Sequence, residues 1–395
     1  MLFSIPVAWL QLIHQRVRFI GTLAGVSFVV VLLFMQIGLR EALFDSSIQV
    51  HESLQGDLFL ISPQYKSITS QQSFLRERLY QTLGHSAVES VSPLYVQFGK
   101  LKNFQTGQKA PIFVFGIDPG SQTFKLPEVN QNLDQLKLAD RALFDLGSRI
   151  EFGPIADTFK RKGEVNIEIS PYNEIYKARK LEVRGLFKIG TSFGVDGNLI
   201  INDSTFLNIF TERGKDKIDI GLINLKPNSN VKEVQSDLIS NVFSGNKDFR
   251  VLTLDEFTKM EKAYWDLRTP AGFAFKVMVT MGFIIGTGIV YQILYSNIST
   301  HLIEFATLKA IGHTSQYLLG IVFQQALMLS ILGYIPGIII SFGVYDLTRE
   351  ATKLPIVMTI DRVGFVLGSV VLMCLVSAFI AMDKLRSVDP ADIFN

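Results

Sequence analysis

EFATLKAIGHTSQYL, residues 304–318, lies between two of the longest uncharged apolar runs in the chain. A connecting loop needs only a few turn residues. This insert is instead helical in pattern and carries Glu304, Lys309 and His313. Across 298–312, Leu302, Phe305, Leu308 and Ile311 recur at helical spacing, while Glu304 and Lys309 can face water. Gly312 suits a helix stop, and Thr314 or Ser315 suits the cap of the next helix. The spacing predicts a short amphipathic helix at a membrane face, joining two spans.

The flanking runs are part of a wider pattern. Of 395 residues, 48% are hydrophobic and 19% charged, below the roughly 25% charge usual in soluble domains. Four stretches carry no Asp, Glu, Lys, Arg or His: Phe19–Leu39, Val277–Tyr295, Tyr317–Tyr345 and Val363–Met382. At about 1.5 Å per residue, about 20 apolar residues cross a hydrocarbon core of roughly 30 Å. Four transmembrane helices are predicted, with a kink in the third at Pro336-Gly337. Ahead of the first, MLFSIPVAWLQLIHQRVRF is amphipathic and reads as an interfacial helix. The apolar run after it is too long for the core of a cleavable signal.

Arg16 and Arg18 precede the first span, and Lys384 and Arg386 follow the fourth. The positive-inside rule then places both termini in the cytoplasm, against a weak opposing bias from Arg349, Lys353 and Arg362. The expected order is as follows: interfacial helix 1–18, first span 19–39, outer domain 40–268, second span 269–297, cytoplasmic connector helix 298–314, third span 315–345, outer loop 346–362, fourth span 363–382 and cytoplasmic tail 383–395.

The 40–268 block reads as an α+β domain. Strand-like runs are DLFLIS (57–62), APIFVFGID (110–118), EVNIEIS (164–170), KLEVRGLFKIG (180–190), GNLIIND (197–203) and KIDIGLINLK (217–226). Several alternate with period two, as half-buried strands do. Helical patterns fall at 71–83, 204–210 and 230–243. At the ends of the block, REALFDSSIQVHESL (40–54) and TLDEFTKMEKAYWDL (253–267) continue helical spacing out of the first span and into the second, the latter broken near Thr269-Pro270. Two helical stalks suggest that membrane motion reaches the outer domain.

Signatures of chemistry are missing. There is no G-x-x-x-x-G-K-[ST] phosphate cradle, no G-x-S-x-G, no H-E-x-x-H and no C-x-x-C. The single cysteine, Cys374, lies within the fourth span and reads as packing. The five histidines lack ligand spacing, and a net charge of +2 without a basic run offers nothing to nucleic acid. Apart from tyrosine and the cysteine the four uncharged runs hold no ionisable side chain, whereas ion-coupled transporters usually place carboxylates or histidines at membrane depth. Gly282 and Gly286 form a G-x-x-x-G pair, a signal for helix self-association.

HLIEFATLKAIGHTSQYL, followed by a Gly/Pro-interrupted span, resembles the coupling segment of the FtsX/MacB-type permease family of ABC machines. FMQIGLREALFDSSI (34–48), VYQILYSNISTHLIEFATLKAIGH (290–313), GYIPG (333–337) and MCLVSAFIAMDKLRSVDPADIF (373–394) look like the DevC permeases of cyanobacterial exporters. The outer domain matches more loosely, through LEVRGLFKIGTSFGVDGNLIIND. The resemblance implies an α-helical membrane protein with four spans and a large α+β periplasmic domain between the first two, the MacB-type (type VII) ABC permease fold. It implies a homodimer in a bacterial inner membrane. It also implies a separate, DevA-like ABC ATPase that binds ATP and Mg, with no cofactor in this chain. The connector around Glu304, Phe305, Leu308, Lys309 and Gly312 would seat in that ATPase. Glu304 and Lys309 would make polar contacts, Phe305 and Leu308 apolar ones, and Gly312 the sharp exit. Gly282 and Gly286 are the expected dimer contact within the membrane. A DevB-like fusion adaptor and a TolC-like duct would receive the cargo, which in DevC relatives is associated with glycolipid export. Rival expectations are an FtsX-like relay that activates a periplasmic enzyme, a lipoprotein-release permease, and a membrane enzyme, the last disfavoured by the missing catalytic sets.

Overall fold

A computed structural model describes residues 5–14, 16–70, 72–172, 178–243 and 248–386. The DPADIF stretch, 389–394, lies outside the described residues. The chain divides into two compact units: 1–42, 270–352 and 356–395 form one, and 43–269 with 353–355 form the other.

The first unit is helical. It contains α1 (Ile5–His14), the first part of α2 (Arg16–Ser53), and α4 (Pro270–Thr300), α5 (Leu302–Ala310), α6 (Ser315–Thr352) and α7 (Ile360–Arg386). Four helices, Arg16–Ser53, Pro270–Thr300, Ser315–Thr352 and Ile360–Ala381, are long and apolar enough to cross a membrane. Small residues let the helices approach closely, as they must where lipid leaves no hydrophobic drive for helix association. A Cβ on Gly333 would lie 2.6 Å from Val26 Cβ, and one on Gly337 2.6 Å from Val30 Cβ. Ser27 Oγ, on the residue after Val26 in α2, donates to the Gly333 carbonyl at 2.9 Å. Pro336 sits inside α6, which stays one assigned helix from Ser315 to Thr352. Two acidic and basic side chains close the end of this packing: Arg362 pairs with Glu41, and its Nη1 donates to the Val357 carbonyl at 2.6 Å.

The second unit is built on a nine-stranded sheet. The strands are β1 (Leu58–Ile61), β3 (Val88–Lys102), β4 (Lys109–Ile117), β5 (Arg141–Asp145), β6 (Val165–Pro171), β7 (Arg179–Phe187), β8 (Asn198–Asn202), β10 (Ile220–Leu225) and β11 (Arg250–Thr253), while β2 (Phe74–Leu75) and β9 (Lys217–Ile218) pair separately. The order is β11-β1-β10-β3-β4-β8-β5-β7-β6, and β6 also pairs with β3. Six strands, β3, β4, β8, β5, β7 and β6, therefore close into a ring. The length of β3 makes this possible. One of its edges serves two partners: Val88–Leu94 pairs with β10, and Gly99–Lys102 with Pro171–Glu168 of β6.

Both faces of the central strands are covered. In β1, Leu58 and Leu60 enter one apolar cluster and Phe59 and Ile61 the other. In β4, Ile112 and Val114 face one way and Phe113, Phe115 and Ile117 the other. Such strands read as unbroken apolar runs, because neither face needs polar side chains. Only β6 and β7 show period-two alternation, with Val165, Ile167, Ile169, Leu181 and Val183 buried.

The domain's helical ends differ from each other. α2 runs without interruption from Arg16 to Ser53, so the division between units falls inside it. The other, α3 (Leu254–Arg268), starts from a capping box between Thr253 and Glu256. It stops at Thr269, whose φ of −110° and ψ of 147° are extended. The following Pro270 explains the break, since its ring clashes with a helical residue before it.

Candidate functional site

α5 is positioned by a side-chain contact at its start and a cap at its end. It follows α4 after a single residue, His301, whose Nδ1 lies 2.9 Å from Glu304 Oε1. At its exit, Gly312 N donates to the Lys309 carbonyl at 3.1 Å and His313 N to the Leu308 carbonyl at 3.1 Å. This is a Schellman stop, and Gly312 has the φ of +105° that it needs. Thr314 Oγ1 then accepts from Tyr317 N at 3.4 Å to start α6.

A chain of amides and carboxylate ties α5 to its neighbours. Gln325 of α6 donates to Gln11 Oε1 at 2.8 Å, and Gln11 Nε2 of α1 donates to Glu304 Oε2 at 2.8 Å. Nearby, Arg18 Nη2 donates to Ser296 Oγ at 2.6 Å and to the Ser296 carbonyl at 3.2 Å. A cation there is favourable, because the C-terminal end of α4 presents unpaired carbonyls and a partial negative charge.

The expected partner-contact residues separate into two sets. Phe305 is 1% exposed and Ala306 fully buried. Phe305 therefore anchors α5 to the chain's own helices, whereas the resemblance implied an apolar contact with a partner for it. Leu308 is half-buried. Glu304 is exposed but engaged by Gln11 and His301. Lys309 is half-buried and engaged. The open stripe lies elsewhere, at Ile303 (63% exposed), Thr307 and Ile311 (72% exposed). Periodicity found the apolar face but could not say that this face is the one folded inward. Ile311 belongs to the apolar pattern read from the sequence and yet stays exposed, while Ile303 lies outside that pattern.

Gly282 and Gly286 pack inside the chain. A Cβ on Gly282 would overlap the Gln36 amide, and one on Gly286 would approach Val29 and Met373. Among the described residues no group of three or more His, Cys, Asp or Glu side chains could hold a metal ion.

A second polar centre joins α2 to α3 within the domain unit, and sequence reasoning missed it. Glu261 Oε2 accepts from Tyr65 Oη at 3.3 Å and from Ile68 N at 3.1 Å, and Oε1 from Trp265 Nε1 at 3.0 Å. His51 Nε2 lies 3.2 Å from Tyr65 Oη. Phe257 seals the group, with ring centroids 4.4 Å from His51 and 5.4 Å from Tyr65. Burial, followed by the Glu261 charge, pushes the Tyr65 phenol well above its usual value. Nothing local marks His51 or Glu261 as buried, because the two are 210 positions apart in the sequence (261 − 51) and meet only in the fold; the helical spacing that places both on inward faces was the one available sign.

Residues 276–390 match the family model described as the FtsX-like permease C-terminal domain. No curated protein sequence matches the chain. Among solved structures, the periplasmic region of MacB from Actinobacillus actinomycetemcomitans is similar at 17% identity and a TM-score of 0.35, over 53% of this chain and 94% of that one. The extracellular domain of the noncanonic ABC-type transporter YknZ from Gram-positive bacteria is similar at 12% identity and a TM-score of 0.34, over 50% of this chain and 99% of that one.

Proposed function

We propose that the chain is the permease subunit of an ABC machine of the FtsX/MacB type. It acts as a homodimer in a bacterial inner membrane, with both termini in the cytoplasm and the β-rich domain in the periplasm. The observation that carries the reading is the family match over 276–390, which takes in α5 and the long helices around it. ATP and Mg bind a separate ATPase, consistent with a sequence that has no phosphate cradle.

The ATPase docks on the open stripe of α5, around Ile303, Thr307 and Ile311, with Glu304 and Lys309 at its edge. Nucleotide-driven closure moves α5, and the Gln11–Glu304 bond carries α1 with it. α2 and the α4–Thr269–α3 segment pass the motion to the periplasmic domain. Cargo need not cross the bilayer through the helices, which agrees with their uncharged sequences. The DevC-like stretches support a finer reading: an exporter working with DevA-like and DevB-like partners and a TolC-like duct, with a glycolipid as cargo.

Co-purification with a co-expressed DevA-type ATPase tests the proposal. The ATPase should remain bound and hydrolyse ATP faster with the chain than alone. Ile303→Asp combined with Ile311→Asp should cut association at least tenfold. Unchanged association and hydrolysis in that variant would remove α5 as the docking element.

A further inference from the structure

We infer that the domain unit holds a binding pocket for an anionic phospholipid, on the flank of α3. The inference goes beyond the coupling role and stands without it; it needs only that α4 crosses a bilayer. The pocket has a volume of about 410 Å³ and its lining includes Lys66, Arg250, Arg268, Met260, Tyr264 and Leu267. Its walls carry three cations and no carboxylate. Among the described residues none of the three cations lies within ion-pair distance of an acidic group.

Arg250, the first residue of β11, is held in place by the segment that follows β1. Its Nη2 donates to the Pro63 and Tyr65 carbonyls at 3.0 and 3.1 Å, while its Nε is buried without a partner. Lys66 and Arg268 are exposed and can move. Gathering three like charges around one pocket is unfavourable until an anion enters, and a phosphate accepts hydrogen bonds from guanidinium groups in a matching geometry. The apolar side is supplied by Met260, Tyr264 and Leu267, and Leu267 is 72% exposed. Cations beside exposed apolar surface suit an amphiphile: a charged head with hydrocarbon next to it.

Chain connectivity selects a membrane lipid over a soluble anion. Arg268 ends α3, and only Thr269 separates it from Pro270, the first residue of the long apolar helix α4. The pocket's Leu267–Arg268 end is therefore where the chain enters the bilayer. Basic residues within a turn or two of a span meet the head groups, and attract anionic ones. The volume falls in the ordinary range of small-molecule sites, roughly 300–1,000 Å³, which accommodates a phosphoglycerol head and the adjoining ester region.

The full-length protein in a neutral detergent is titrated with dihexanoyl-phosphatidylglycerol, dihexanoyl-phosphatidylcholine or inorganic phosphate, and bound ligand is counted by native mass spectrometry. Saturable retention of one phosphatidylglycerol per chain is expected, at least tenfold tighter than phosphatidylcholine. Lys66→Glu with Arg268→Glu should abolish that preference; both side chains are exposed, and an unchanged melting temperature shows that the fold is kept. Leu267→Asp should weaken the lipid and leave phosphate unaffected. Equal retention of the two lipids, or a preference that survives the double substitution, would overturn the inference. So would inorganic phosphate binding as tightly as the lipid, which would make this a free-anion site.

Discussion

His51 Nε2 lies 3.4 Å from Glu261 Oε2, and both side chains are fully buried. The pair fastens the last turn of α2 to the middle of α3. Removing a carboxylate from water costs several kcal/mol, and Tyr65, Ile68 N and Trp265 offset that cost here by filling its lone pairs. A buried polar contact of this kind fixes register, since a one-turn slip between the helices would strand every member. It holds the two helical ends of the domain together as a single piece.

Glu261→Ala is expected to cost about 3–5 kcal/mol, because it leaves the buried Tyr65 hydroxyl and Ile68 N–H without their acceptor and His51 without its carboxylate. Glu261→Gln keeps the shape and part of the hydrogen bonding, and should cost less. Thermal melting of the purified protein checks the order; equal melting temperatures for wild type and the alanine variant would show that the clasp carries no stability.

Tyr65 supplies a pH dependence. Its phenol is held neutral above the usual value of 10.0 by burial and by Glu261. A raised acid in the folded state gives stability that is complete below the unfolded value and is lost as pH rises through the folded one. In an alkaline absorbance titration Tyr65 should ionise last, together with unfolding. In Tyr65→Phe that final step should disappear. A titration in which all the tyrosines ionise near pH 10.0 with the fold intact would contradict the assignment.

The two faces of α5 should respond differently. Phe305→Ala empties a buried site and should cost about 3–5 kcal/mol of stability. Ile303→Asp changes an exposed side chain and should shift stability by about 0.5 kcal/mol or less, while weakening ATPase binding. Melting curves and pull-downs on both variants separate the effects. Equal loss of stability would mean that the stripe at Ile303 is not open.

Gly312 tests the helix stop. No atom lies within 4 Å of the position a Cβ would take, so crowding is not at issue. Its φ of +105° is the obstacle. Gly312→Ala should cost about 1–2 kcal/mol through backbone strain alone, and should lower coupled ATP hydrolysis if the angle between α5 and α6 matters. Full stability and full coupling in the alanine variant would show that the turn adapts.

Gly282→Leu separates packing within a chain from packing between chains. Overlap with Gln36 predicts a loss of roughly 1–3 kcal/mol in the isolated chain. A variant that melts normally but sediments as a smaller species would assign the glycine to a dimer contact.

The sequence by itself determined the membrane character of the chain. Four uncharged runs of bilayer length, with a strand-rich block between the first two, leave few other arrangements, because each lipid-facing backbone must satisfy itself as a helix. It also located α5 and its glycine exit, since Gly312 and Thr314 carry local backbone chemistry. Long-range pairing decided the rest. β3 was missed: Pro93 and Gly99 interrupt a strand pattern, yet Pro93 pairs with Gly221 of β10, and inside the ring Gly99 pairs with Ile112 and Pro171. Which apolar side of α5 faces inward depended on the helices it meets, so Phe305 went inside and Ile303 stayed out. His51 and Glu261 became one buried unit only when α2 and α3 were brought together. Periodicity records that a face is apolar; what covers that face is a property of the folded chain.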